Sequence, residues 1–101
     1  MDFSELEGFD WDGGNSAKNW HKHRVTIREC EEVFVNMPFF IFDDVSHSTS
    51  ESRHYVLGFA NGGRLLAISF TVRILRIRVI SARPMSKNDR KLYVESIEAN
   101  S

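Results

Sequence analysis

The 101-residue chain has one cysteine, two prolines and six glycines. With Cys30 alone, an intrachain disulfide framework and a multi-cysteine zinc site are excluded. No run approaches the roughly 18 apolar residues of a spanning helix, so no membrane association is expected. The opening MDFSELEGFD is acidic and lacks the apolar stretch of a signal peptide. A reducing compartment follows, and the expected setting is the cytoplasm. There is no internal repeat and no low-complexity tract. A G-x-S-x-G elbow and a glycine-rich phosphate loop are also absent. The histidines are His21, His23, His47 and His54, with no ligand cluster around them. His21 and His23 stand two apart and do not share a helix face. No metal and no cofactor is expected.

What is present fits one small domain. Apolar residues make up 42% and charged residues 27%, enough for a single core. One domain over 1–101 is expected, with 1–8 as a flexible extension. The net charge of −1 hides an asymmetry. Residues 1–52 set Lys18, Lys22, Arg24 and Arg28 against eleven carboxylates. Residues 53–101 set seven arginines and two lysines against Asp89, Glu95 and Glu98. Such a basic half either meets a polyanion or an acidic partner, or is neutralised by the other half within the fold.

Local signals give an order of elements. Phe9-Asp10-Trp11-Asp12 reads as a short strand ending at a helix cap, followed by a helix over 13–23. Thr26-Ile27-Arg28-Glu29 is a capping box, with Val25 and Cys30 as the staple. Ile27, Cys30, Val33 and Phe34 share one face of that second helix, which Pro38 stops. Cys30 is read as a small buried residue rather than a nucleophile. Strands follow over 39–42, 53–60, 64–72 and 73–83. Asn61-Gly62-Gly63 forms a hairpin turn and a second tight turn lies near 73–75. Ser86 caps a last helix to about residue 99. The fold class is α+β, with a mostly antiparallel sheet, two N-terminal helices and one C-terminal helix. Phe39, Phe40 and Phe42 are either core strand or a docking surface.

The arginines carry the chemistry. In the strand over 76–83, Arg76 and Arg78 share one face and Ile77 and Val79 the other. Arg83 has the parity of Ile77 and Val79, so it is expected on the apolar side. Arg53, Arg64 and Arg83 could clamp a phosphate from one rim, because guanidinium pairs bidentately with phosphate. The clamp fails if these groups point apart, each neutralised by its own carboxylate. Lys87, Arg90 and Lys91 make a basic strip on the last helix, either a solvated face or an RNA-backbone face.

Phe9-Asp10-Trp11-Asp12, Asn19, Lys22-His23, Val25 and Glu32-Val33-Phe34 are the first of a set of matching motifs. Ser46-His47-Ser48, Glu51, Arg53, Leu57-Gly58 and Gly63-Arg64-Leu65-Leu66 continue it, as do the run RIRVISAR over 76–83, Met85-Ser86, Arg90 and Tyr93. This set resembles the BrnT toxin family over residues 9 to 95. The resemblance implies a RelE-like fold and a bacterial type II toxin, a ribonuclease that arrests translation. It implies a BrnA-like antitoxin as partner, in a heterotetramer with two of each chain. Operator DNA would be met through the antitoxin, and the complex would repress its own operon. Four departures from the family pattern stand out: Asn15 replaces lysine, Gly13 proline, Arg24 glycine, and Arg73-Ile74-Leu75 a glycine-rich turn. Lys18 stands one helical turn on as a substitute cation.

Chemistry and resemblance together assign candidate roles for metal-independent RNA cleavage. Arg53, Arg64 and Arg83 are the phosphate clamps. Lys22 and His23 handle protons, with His47 as a loop candidate. Tyr93 stacks a base or acts as acid. Lys18, Arg76, Arg78, Lys87, Arg90 and Lys91 bind the RNA backbone. The alternative is a catalytically weak or silent binding module that docks the antitoxin and serves autoregulation. A direct DNA binder is disfavoured, since no helix-turn-helix pattern is evident.

Overall fold

The computed structural model describes residues 3–47 and 50–101, without the side chains of Ser4, Lys18, Asn19, Trp20, His21 and His47. Five strands form one sheet: β1 (Gly8–Phe9), β2 (Phe40–Asp43), β3 (His54–Phe59), β4 (Leu65–Arg73) and β5 (Arg76–Pro84), in the order β1-β5-β4-β3-β2. The β2, β3, β4 and β5 pairings are antiparallel; β1 joins β5 in parallel, so the sheet is mixed. Helices α1 (Gly13–His23) and α2 (Ile27–Val33) follow β1, and α3 (Lys87–Ala99) ends the chain. The class is α+β.

The helix starts are built by side chains that satisfy unpaired amides. Asp12 Oδ1 accepts from the Gly14 N–H at 2.8 Å and the Asn15 N–H at 3.2 Å. Thr26 and Glu29 close a capping box on α2, at 3.0 and 3.1 Å. Val25 and Cys30, its staple, are both buried. Burial, followed by the charges of Glu29 and Glu31, pushes the Cys30 thiol up to about 12. It is therefore a packed apolar group at neutral pH. Ser86 and Asp89 form the same box at α3. Ile27 departs from the helical pattern at 40% exposure, because only the following turns of α2 reach the sheet.

One sheet face packs on Val25, Cys30 and Val33, using Val56, Leu66, Ile68, Phe70, Ile77, Val79 and Ala82. Gly58 permits this approach: a Cβ there would sit 2.9 Å from Val33 Cγ1. The segment expected as an extension places the Phe3 ring edge-on to His54 and Phe70. On the other face, Leu92 and Tyr93 of α3 cover Leu57, Leu65, Ala67 and Phe40. Phe39, just before β2, and Phe40 and Phe42 within it are half-buried, each packed against one cluster or the other.

A β-bulge changes the parity of β5. Ser69 lies opposite Ser81, but Phe70 lies opposite Val79, so Ile80 is the extra residue. Ile77 and Val79 face α1 and α2 before the bulge, and Ala82 faces them after it. Ser81 and Arg83 therefore turn to the opposite face. The expectation that Arg83 shares the side of Ile77 and Val79 is corrected by this single residue.

Three non-glycine residues have positive φ among those described: Arg24 (55°), Ile74 (49°) and Leu75 (61°). All three stand at or within a turn where the resemblance leads one to expect glycine. The backbone keeps a glycine-type conformation and carries the steric cost.

Candidate functional site

Alternation and register assemble a row of polar side chains on the face bearing α3, beyond the end of that helix. Reading across the strands, Arg73 pairs with Arg76 and Thr71 with Arg78. Tyr55, Ser69 and Ser81 stand abreast, then Leu57, Ala67 and Arg83. Arg53 precedes β3 by one residue and continues the parity of Tyr55. The Thr71 hydroxyl donates to the Ser52 carbonyl at 2.9 Å, which ties this segment to β4.

Glu51 is the centre of the row. Arg73 donates to both of its oxygens, at 2.8 and 2.7 Å. Those hydrogen bonds, with the charges of Arg73, Arg78 and Arg53, hold the Glu51 carboxyl below its usual range. Arg78 reaches Asp12 at 3.0 Å and Asp10 at 3.5 Å. The Arg78 bond and the Asn15 and Gly14 amides hold the Asp12 carboxyl low as well. Arg73 thus holds an ionised carboxylate at a half-exposed surface, within reach of the charges of Arg78 and Arg53.

The clamp of Arg53, Arg64 and Arg83 does not assemble. Arg53 and Arg64 lie at opposite ends of the β3–β4 ladder, roughly 20 Å apart at strand spacing. Arg64 donates to the His23 and Arg24 carbonyls, both at 3.1 Å, and pairs with Glu29 at 3.4 Å. It satisfies the carbonyls at the end of α1 and is a structural tie. Lys22 and His23 belong to that same end and are not brought to Glu51. Arg83 is on the open face, held by Asp89 at 2.6 Å. The condition that defeats the clamp is met for Arg64 and Arg83.

Tyr93 is also corrected. It is 5% exposed, and its hydroxyl donates to the Pro38 carbonyl at 2.6 Å. Burial pushes its hydroxyl pKa up. It anchors α3 and presents no ring for stacking. Lys87, Arg90 and Lys91 are exposed on α3, within two residues of Asp89. The Lys18 and His47 side chains, and all of Ser48, lie outside the described residues. Asn15 is buried; its amide donates to the Asp10 and Val79 carbonyls, at 3.0 and 3.2 Å, and ties α1 to β5.

Sequence reasoning gave Glu51, Arg73, Tyr55 and Ser69 no role at this face. The signal for two of them was readable. Arg53-x-Tyr55 alternates on one face, and a two-residue turn at Ile74-Leu75 forces Arg73 beside Arg76.

Fold and face together define a small mixed-sheet domain with several guanidinium groups on one face of its sheet. Residues 11–89 match the family model described as ribonuclease toxin, BrnT, of type II toxin-antitoxin system. The chain belongs to that family of ribonuclease toxins, and type II membership implies an antitoxin partner. Comparison with curated proteins gives no match. No helix among the described residues is long and apolar enough to cross a membrane.

Proposed function

We propose that this chain is a metal-independent endoribonuclease whose site is the open arginine face around Glu51. The carrying observation is the Arg73–Glu51 pair flanked by Arg53 and Arg78. The RNA 2′-hydroxyl gives its proton to the Glu51 carboxylate, and its oxygen attacks the adjacent phosphorus. The bond to the 5′-oxygen breaks, that oxygen takes a proton from water, the hydroxide so formed takes the proton from Glu51, and a 2′,3′-cyclic phosphate remains. Arg53, Arg73 and Arg78 stabilise the charge gathering on the phosphoryl oxygens. Arg76 holds the flanking backbone, with Lys87, Arg90 and Lys91 beyond it.

On this reading the fold is RelE-like and cleavage inhibits translation in the cytoplasm. A BrnA-like antitoxin neutralises the toxin in a two-plus-two heterotetramer and carries the contact with operator DNA. The test is incubation of the purified chain with RNA, alone and with ribosomes, in EDTA. Cyclic-phosphate ends are expected, and Glu51→Gln should lower the rate about 10²–10⁴-fold. RNA left intact in both settings ends the proposal. One observation favours a silent binder instead: Arg73, Arg78 and Arg83 each already hold a carboxylate. That reading predicts antitoxin binding with no cleavage.

A further inference from the structure

Between the arginine row and α3 the same face changes character. A cleft of about 250 Å³ opens there, lined by Asp44, Tyr55, Ser69, Arg83 and Asp89. Its wall is the Tyr55 ring, stacked on Phe42 with centroids 5.0 Å apart and planes 23° apart. Burial, then the charges of Asp44 and Asp89, pushes the Tyr55 hydroxyl pKa up, so the ring stays neutral. At Asp89, burial pushes the pKa up, but bonds from Ser86 and Arg83 outweigh it and the carboxyl lies low. The cleft therefore holds two carboxylates and one guanidinium. A phosphate is a poor occupant against two carboxylates. An uncharged, flat, hydrogen-bonding group is a good one.

We propose that this cleft is a nucleobase pocket selective for guanine, an inference that rests on the ribonuclease reading of the neighbouring face. Single-stranded RNA is read by stacking its bases on aromatic rings and bonding their edges. Tyr55 supplies the ring, rigidified by Phe42. Guanine offers two adjacent donors, N1–H and the 2-amino group, which a carboxylate accepts side by side. It also offers O6 and N7, the acceptors that arginine favours. Asp44, whose Oδ1 also accepts from the Ser46 hydroxyl, and Asp89, whose Oδ2 also holds Arg83 and the Ser86 amide, supply the acceptors, and Arg83 and Ser69 the donors. Adenine, cytosine and uracil each lack the paired donors. The cleft volume holds one base with ordered water. The backbone of the bound nucleotide then runs toward Arg78 and Arg53, where cleavage is placed.

The test separates base binding from catalysis. Five 2′-O-methyl tetranucleotides, which cannot be cleaved, differ at one position: guanine, hypoxanthine, adenine, cytosine or uracil. Binding to the full chain is measured for each. Guanine is expected to bind tightest, and hypoxanthine, which lacks the 2-amino group, about 10-fold or more weakly. Tyr55→Leu should weaken guanine binding about 10-fold. Asp44→Asn, chosen because Asp89 also caps α3, should remove the gap between guanine and hypoxanthine. Equal binding of all five, or binding of none, overturns the pocket. Cleavage of ordinary RNA without base preference likewise overturns it while the ribonuclease reading stands. Guanine-selective binding with no cleavage does the reverse.

Discussion

The second half of the chain contributes seven arginines, and the sheet sorts six of them onto two faces. On the face under α1 and α2 the one arginine is Arg64. It donates to two main-chain carbonyls, and a ligand could claim it only by exposing the end of a helix. On the opposite face, Arg73, Arg78 and Arg83 hold side-chain carboxylates, and the Arg73–Glu51 pair is the most open of them, at 49% and 41% exposure. Glu51 can be exchanged for phosphate at little cost, because exposed ion pairs contribute only about 0–1 kcal/mol. The same side chain is architecture on one side and chemistry on the other. The difference lies in whether the guanidinium closes the carbonyl end of a helix, as Arg64 does beside Glu29, or is held mainly by a side-chain carboxylate.

The comparison can be broken most sharply with a misplaced cation. Ile68→Arg puts a guanidinium on the face under α1 and α2, where Ile68 is fully buried. A buried unpaired guanidinium is costly, and the expected loss is more than about 4 kcal/mol, read by thermal or urea unfolding. Wild-type stability in that variant would show that this face tolerates arginine as the other does.

Next comes a crossed pair of substitutions. Arg64→Ala should cost about 2–3 kcal/mol of stability, since it strands carbonyls at the end of α1 and leaves Glu29 without its cation. Cleavage per folded molecule should stay within a few-fold of wild type. Arg73→Ala should do the opposite, with unfolding shifted by no more than about 1 kcal/mol and cleavage down about 10²-fold. If both variants lose activity in proportion to stability, the division between the faces collapses.

The pH dependence sharpens the chemical side. Glu51 must be ionised to accept a proton, and Arg73 holds its carboxyl below the ordinary 4.5. The rate should therefore fall only as pH drops through a value below 4.5. Arg73→Gln removes the cause and should move that acidic limb upward. An acidic limb near neutrality in the wild-type protein would assign the proton to another group.

The smallest effect is expected at the tip of the β4–β5 hairpin, where Ile74 and Leu75 both have positive φ. The pair Ile74→Asn and Leu75→Gly suits that turn and should raise stability by about 1–2 kcal/mol, with cleavage unchanged. A lower melting temperature would mean that the apolar tip contributes packing of its own.

Much of the scaffold was legible because its signals are local. The capping boxes at Thr26 and Ser86, the Asn61-Gly62-Gly63 turn and the buried Val25–Cys30 staple each depend on residues a few positions apart. The site was less legible because it depends on counting across strands. Arg83 was placed on the wrong face, since alternation was carried through Ile80, and a bulge leaves no reliable mark in one sequence. Arg64 was grouped with Arg53 as if both bounded one rim. In a hairpin they bound opposite ends of the ladder, which the turn at 61–63 already implied. Tyr93 was assigned to chemistry, yet its place among Leu92, Met85 and Phe40 gives it the anchoring role of a buried aromatic with a polar tip.

The lone thiol has a practical consequence. Cys30 is 1% exposed and protonated at neutral pH, so an alkylating reagent meets it only when α2 lifts from the sheet. Its labelling rate is a built-in clock for that opening, readable by mass without any engineered probe. Bound antitoxin or RNA that steadies the sheet would slow the clock, and the factor by which it slows would report how tightly the two events are linked.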